Sequence, residues 1–317
     1  MEPLGCERHR LHNLRGEGER AGASESMERA GMRCEPHLYF RPGSEPELHP
    51  IPPLSAEPAI YKIDIMKEFD GKVALVTGGG SGIGRATALA FAREGAQVVI
   101  GNRNVQRGEE TVAMIRDAGG TASFKRTDVL VAADIEALVD YAVKTYGRVD
   151  VAFNNAGIEG DVRPLVEQTE ANYDAVMDIN VKGVWLSMKY EIPRMLEKGG
   201  GAIVNCSSIA GVIGFPGLAI YIASKHAVIG LTKTAALEYS AQGIRINAVN
   251  PAVIDTEMVD RLAVGLNMKK DDLSTLHPIG RIGRVEEVAE AVLWLCSGKA
   301  SFVTGHSLVV DGGFTAR

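Results

Sequence analysis

One short stretch limits the possible folds more than any other. Lys72-Val73-Ala74-Leu75-Val76-Thr77 is a mostly apolar run. It breaks into Gly78-Gly79-Gly80-Ser81-Gly82-Ile83-Gly84 and continues in a helical pattern to Glu94. An apolar run without alternation fits a strand buried on both faces, so helices must cover both sides of the sheet it joins. In the loop, Gly78 suits the tight turn, Gly82 lets backbone approach a pyrophosphate, and Gly84 lets helix and strand pack closely. The helix that opens there offers unpaired N–H groups and a positive dipole end to phosphates. Glycine clusters alone mark loops. Placed after a buried strand and before a helix, this one reads as a nucleotide-binding turn, with Ser81 and Ile83 inside it.

The same rhythm repeats downstream. Helix is expected over 82–94, 105–118, 132–146, 171–197, 219–241 and 285–297. Strands are expected at 97–100, 122–127, 149–153, 202–206, 244–249 and 307–310. Seven strands alternating with helices predict an α/β fold, a doubly wound Rossmann-type parallel sheet with right-handed crossovers. At about 150 residues per domain, 317 residues suggest two domains. The alternation instead predicts one catalytic domain over 69–317, preceded by an extension over 1–68.

That extension holds 8 of the 13 prolines and 4 of the 7 histidines, with no apolar period. It cannot bury enough apolar surface to offset its ordering entropy, so it is read as disordered. Cys6-x-x-His9 and Cys34-x-x-His37 imitate zinc half-sites. The 24 residues between His9 and Cys34 carry no hydrophobic cluster to close around a metal, so no metal site is expected. Seven arginines before residue 42 suggest a transit peptide, but nine glutamates in the first 47 residues argue against it. A net charge of -6 gives no footprint for nucleic acid or anionic lipid. Four cysteines form no disulfide framework, and the chain is read as cytoplasmic. Residues 199–224 lack charge over a membrane-spanning length. They also contain Asn205, Ser207, Ser208, Pro216 and six glycines, so strand, loop and helix explain them better than a membrane span.

Candidate site residues fall at strand ends. After the second strand, a carboxylate would accept the ribose 2′-hydroxyl of NAD; this chain has Gly101-Asn102-Arg103. Arg103 can pair with a 2′-phosphate, which favours NADP. Alternatively, Arg103 is a solvated residue and Asn102 bonds the ribose of NAD. Asp128, ending the third strand, is placed to accept from an adenine amino group. Asn154-Asn155-Ala156-Gly157, after the fourth, would line the cofactor floor with small side chains and amide hydrogen bonds. Tyr221 and Lys225 stand i, i+4 on one helix face, so phenol and ammonium can share a cleft. A tyrosine pKa near 10 is poorly matched to proton transfer at neutrality, and a nearby ammonium and an oxidised nicotinamide would both lower it. Ser208, thirteen residues before Tyr221, can hydrogen-bond the reacting oxygen.

From about Phe69 to Gly313 the chain resembles the short-chain dehydrogenase/reductase family. The resemblance rests on Thr77–Gly84, Asp128-Val129, Asn154–Gly157, Asn180, Ser208, and Tyr221 with Lys225. It implies hydride transfer between nicotinamide and a secondary alcohol or ketone, with Tyr221 as general acid/base. It further implies that Asn180 holds a water in a proton relay and that Lys225 binds the nicotinamide ribose. It places Pro251, Ile254 and Thr256 around the carboxamide, although Pro251-Ala252 stands where Pro-Gly is usual. It assigns the C-terminal strand near Val310-Asp311-Gly312-Gly313 to packing in a homotetramer.

Substrate preference is less constrained. Ile209, Val212, Ile213, Phe215 and Leu218 give either an apolar wall or ordinary core. Residues 255–280, with Met258, Leu262, Leu266 and Met268, are expected to form a lid. Glu159 either meets a polyol or is solvated. The chain is similar to both sugar dehydrogenases and 3-oxoacyl carrier-protein reductases. Gly199 and Gln242, where basic residues would dock an acidic carrier, weigh against the latter, and Lys198 weighs for it. Cys206 and Cys296 are read as buried small hydrophobes and His226 as a packed helix residue. A catalytically idle, cofactor-sensing or scaffolding relative is the alternative to an enzyme.

Overall fold

The computed structural model describes residues 67–316. The paired Cys-x-x-His motifs and all but the last two residues of the 1–68 extension lie outside the described residues. Among the described residues seven strands form one parallel sheet: β1 (Val73–Thr77), β2 (Gln97–Asn102), β3 (Thr121–Arg126), β4 (Val151–Asn154), β5 (Gly201–Cys206), β6 (Ile244–Pro251) and β7 (Ser307–Val310). Their spatial order is 3-2-1-4-5-6-7. The direction of winding reverses between β1 and β4. In open α/β sheets that reversal opens a crevice at the carboxyl ends of the strands.

Successive strand residues point to opposite faces, and both faces are filled. Ala74, Val76, Val98, Ile100 and Val204 meet α1 (Gly82–Arg93), α2 (Val105–Asp117) and α9 (Val285–Cys296) in one core. Val73, Leu75, Val99, Ile203 and Ile246 meet α3 (Ala132–Tyr146), α5 (Gly183–Leu196) and α6 (Ala219–Tyr239) in the other. Phe69 enters the first core edge-on to Phe91, with ring centroids 5.1 Å apart.

One expectation needs correction. The single helix expected over 171–197 is α4 (Glu170–Met177), a π-helical turn (Asp178–Lys182), then α5. The widened turn carries Asn180 inward, where it makes three hydrogen bonds; π-turns inside helices recur at functional sites. The region expected as a lid, residues 255–280, is built from helices. It holds α7 (Glu257–Gly265) and a short α8 (Lys270–Ser274). Residues 199–224 form β5, a 3-10 turn (Ile209–Gly211) and the start of α6. Among the described residues, no helix is long and apolar enough to cross a membrane.

Beneath the sheet lies a buried polar chain. Asn154 Nδ2 donates to Glu191 Oε2 and to Asn205 Oδ1, both at 3.0 Å, and Asn205 Nδ2 donates to Thr232 Oγ1 at 3.0 Å. Glu191 Oε1 and Asn154 Oδ1 are buried without a partner. Burial pushes the Glu191 carboxyl up to about 7, and the Asn154 hydrogen bond only partly offsets this. Its folded pKa therefore lies above its unfolded value, so Glu191 favours folding below pH about 4.5 and loses that contribution as pH rises through about 7. The expected loss is about 3 kcal/mol across this window. Urea unfolding of wild type and Glu191→Gln at pH 4.5 to 8 should show the gap between them closing or reversing by about that amount. Parallel curves would refute the shift.

Candidate active site

The crevice between β1 and β4 is built by crossing hydrogen bonds. Asn155 Nδ2 donates to the carbonyls of Thr77 and Gly78, both at 3.2 Å, and Asn155 N donates to Thr77 Oγ1 at 3.1 Å. A Cβ on Gly78 (φ +66°) would stand 2.9 Å from Asn155 Nδ2 and 3.0 Å from Ala156 Cα. At Gly84 a Cβ would meet the Gly78 carbonyl oxygen at 2.3 Å, so the helix reaches this loop only without a side chain. Gly82 adopts φ +52°, the left-handed region that glycine enters freely. The Ser81 side chain does not cap α1, and the first turn of α1 carries no acid. Its N–H groups are therefore left for an anion.

A cleft of about 270 Å³ runs from this loop and is lined by Gly78, Ser81, Gly82, Ile83, Asn102, Arg103, Asp128, Val129, Asn155, Ala156, Gly157 and Thr256. These were the residues expected to hold a cofactor. The uncapped helix end and the space guarded by glycines fit a dinucleotide pyrophosphate. Arg103 is exposed at the rim, while the Asn102 carboxamide donates to the Asn104 carbonyl at 2.8 Å. Asp128 Oδ1 accepts from Leu130 N at 3.1 Å, which fixes the side chain beside the cleft.

Other expected residues stand elsewhere. Asn154 turns into the core rather than the cofactor floor, because its amide bridges Glu191 and Asn205. The Asn155 amide is used within the protein. Pro251 and Ile254 are buried and outside the lining of the cleft, and the Ile254 side chain packs over Gly283. Thr256 Oγ1 donates to the Ile254 carbonyl at 3.1 Å. Ala252 has no positive φ, so its methyl group introduces no backbone strain where glycine is usual. His226 is exposed, not packed, with Nδ1 2.9 Å from the Ile222 carbonyl oxygen. The Cys206 and Cys296 thiols are buried, and burial raises both pKa values, that of Cys296 to about 12. Both thiols are therefore poor nucleophiles. Sequence reasoning missed Gly101, Thr127, Ile158 and Ile179 of the cleft. Ile179 had no legible signal, since it reaches the cleft only through the π-turn.

The catalytic candidates converge. Asn180 Nδ2 donates to the Ile158 carbonyl (2.9 Å) and Ser224 Oγ (3.0 Å), while Oδ1 accepts from Ile158 N (2.9 Å). A Cβ on Gly157 would lie 3.1 Å from Asn180 Oδ1 and 3.5 Å from Lys225 Nζ, so the missing side chain leaves room between them. Lys225 Nζ donates to the Cys206 carbonyl at 2.9 Å and sits 5.5 Å from the Tyr221 ring centroid. Ser208 Oγ donates to the Pro251 carbonyl at 3.3 Å and accepts from Ala210 N at 3.1 Å.

The expected lowering of the phenol pKa by Lys225 is corrected. Burial holds the Tyr221 phenol above its ordinary value, and the charges of Cys206 and Glu159 push the same way. Ser208 alone pulls it down. Lys225 is itself held below the usual ammonium range by burial. The phenol is therefore held protonated and able to donate. A positive charge in the adjoining cleft would be needed to favour phenolate.

Next to Ser208 and Tyr221 lies a second cavity of about 100 Å³. Its walls include Ile209, Ile213, Phe215, Leu218, Met258, Leu262 and Leu266, all expected as wall or lid. Val212 is 43% exposed and outside the lining, and Met268 packs on the small Val259–Leu273 core instead. Leu273 and Leu276, within the expected 255–280 lid but not singled out there, also line the cavity, and sequence reasoning missed Phe314. Phe314 comes from the far C-terminus, turned back by Gly312 (φ +57°) and Gly313 (φ +86°) and set edge-on to His277 at 5.4 Å. Only the Asp-Gly-Gly turn could have hinted at it. Glu159 is the one charged residue of this lining, and its side chain is 12% exposed.

The family model described as Enoyl-(Acyl carrier protein) reductase matches residues 78–315. The chain is 45% identical over 250 residues to a cyclohexanol dehydrogenase of Acinetobacter sp. (strain SE19), covering 79% of this chain and 97% of that protein. It is 44% identical over 252 residues to a 2,5-dichloro-2,5-cyclohexadiene-1,4-diol dehydrogenase of Sphingobium indicum (strain DSM 16412 / CCM 7286 / MTCC 6364 / B90A), covering 79% and 100%. An NAD+-bound xylitol dehydrogenase crystal structure superposes with a TM-score of 0.76 at 34% identity, covering 78% of this chain and all of that one. With this fold and these relatives, the chain belongs to the short-chain dehydrogenase/reductase family, whose members are NAD(P)-dependent oxidoreductases acting on CH–OH groups.

Proposed function

We propose that this enzyme interconverts an apolar, ring-sized secondary alcohol and its ketone, with NADP(H) as preferred cofactor. The observation that carries the substrate class is the cavity beside Ser208 and Tyr221, walled almost wholly by aliphatic and aromatic side chains. At about 100 Å³ it is of the same order as cavities that hold a single small ring. A sugar would leave most of its hydroxyls without partners there, at a cost for each buried polar group. The cyclohexanol relative agrees with this reading. Docking of an acidic carrier is disfavoured by Gly199 and Gln242 at the expected basic positions.

In the proposed mechanism Tyr221 exchanges the hydroxyl proton with the substrate oxygen, and Ser208 hydrogen-bonds that oxygen as its charge changes. When bound, the nicotinamide supplies or accepts the hydride. Lys225 holds the ribose side of the cleft, and Asn180 fixes Ile158 while keeping an Oδ1 lone pair toward the gap behind Gly157. Gly78, Ser81, Gly82, Ile83 and Gly84 hold or shape the pyrophosphate site. Asp128 and Val129 flank the adenine. Asn155, Ala156, Gly157 and Thr256 frame the nicotinamide, with Pro251 and Ile254 supporting the loop behind them. Arg103, which has no hydrogen bond or ion pair to another described residue, is the partner for a 2′-phosphate. Exposed Trp294 and Phe302 near β7 support assembly into a homotetramer, and the free buried thiols suit a cytoplasmic location.

A nicotinamide-absorbance screen should show cyclohexanol-type substrates turned over at least tenfold better, in kcat/KM, than hexoses or pentitols. The reverse order would overturn the substrate class. Tyr221→Phe should lose at least 1,000-fold in kcat while cofactor affinity, followed by calorimetry, changes less than threefold; near-normal turnover would sink the mechanism. Asn102→Asp should lower the NADP:NAD ratio of kcat/KM at least tenfold, and an unchanged ratio would refute the reading of that strand end.

A further inference from the structure

The substrate cavity is apolar except at one end, and that end is built with care. Glu159 follows the β4 loop, and its carboxylate is nearly buried against the cavity wall. Arg261 on α7 grips it as a fork, with Nε 2.6 Å from Oε1 and Nη2 3.1 Å from Oε2. Arg261 itself remains 58% exposed. A carboxylate brought this far from water is costly unless paired and hydrogen-bonded. An aliphatic residue at 159 would be the simpler lining for a wholly apolar substrate.

A carboxylate can accept about four hydrogen bonds, and Arg261 provides two. Because the pair is neutral as a unit, the remaining acceptor capacity suits a hydroxyl better than an ammonium group. The Glu159 charge also acts on the Tyr221 phenol, which places both groups around the same ligand space. Cavities of this kind fix orientation through a few polar groups set in apolar walls.

We infer that Glu159 is a specificity-determining residue: it accepts a hydrogen bond from a second hydroxyl on the substrate ring while Tyr221 and Ser208 hold the reacting oxygen. The preferred substrate is then a cyclic diol or hydroxyketone rather than a ring with a single oxygen. Arg261 positions the Glu159 carboxylate and ties α7 across the cavity. This inference rests on the apolar-ring reading given above.

The test uses the full chain with saturating NADP+ or NAD+, and compares cyclohexanol with cyclohexane-1,2-, -1,3- and -1,4-diols. The wild type should favour its best diol over cyclohexanol at least tenfold in kcat/KM. Glu159→Leu should collapse that ratio at least tenfold. Arg261→Gln keeps the carboxylate but breaks the fork that positions it; it should raise KM for both substrate types and lower the ratio part of the way, by less than Glu159→Leu does. A wild type without diol preference, or a Glu159→Leu enzyme with the wild-type ratio, overturns the inference alone. An Arg261→Gln ratio that falls as far as that of Glu159→Leu also overturns it, since the pair would then act only as a tie. No turnover of cyclohexanol or any diol removes the apolar-ring reading and the inference with it.

Discussion

The join between β1 and β4 is the contact on which the rest depends. Asn155 reaches across to the Thr77 and Gly78 carbonyls, so the glycine turn and the loop after β4 hold each other at hydrogen-bond distance. Gly84 must lie against Gly78 for this to occur, and any side chain there would displace α1. Once the join is fixed, the first turn of α1 points its N–H groups into the crevice. The loop continues to Gly157, Ile158 and Glu159, placing in succession the gap beside Lys225, the partner of Asn180, and the polar end of the substrate cavity.

Around this join the molecule spends polar groups unevenly. Asn154 and Asn155 are neighbours with opposite duties. Strand alternation sends Asn154 into the core toward Glu191 and Asn205, and lets Asn155 bind the turn. Asn180 faces the site only because the helix loosens into a π-turn at Asp178–Lys182. The protonated tendency of Tyr221 follows from the same enclosure that makes the cavity apolar. Burial raises the phenol's pKa, and the Ser208 hydrogen bond offsets that only in part.

The turn Thr77–Gly84 and the Tyr221/Lys225 pair were legible because each depends on spacing along one local element. A helix places i and i+4 together wherever it lies, and a glycine turn before a helix exposes N–H groups in any fold. The apolar residues after Ser208 were ambiguous between wall and core for the opposite reason. Ile213 and Phe215 reach the cavity, whereas Val212 lies outside it, and no local period separates them.

The sequence by itself determined the winding of the sheet, the glycine turn and the chemical types of the candidate catalytic side chains, because these follow from hydrophobic period and local geometry. Only the tertiary structure decided which side chains share a space. Phe314 closes the cavity more than ninety residues after Tyr221, turned back through two left-handed glycines. Glu159 and Arg261 meet across 102 residues of chain. Such meetings are set by how loops and helices pack over the strand ends, and sequence spacing carries no measure of that distance.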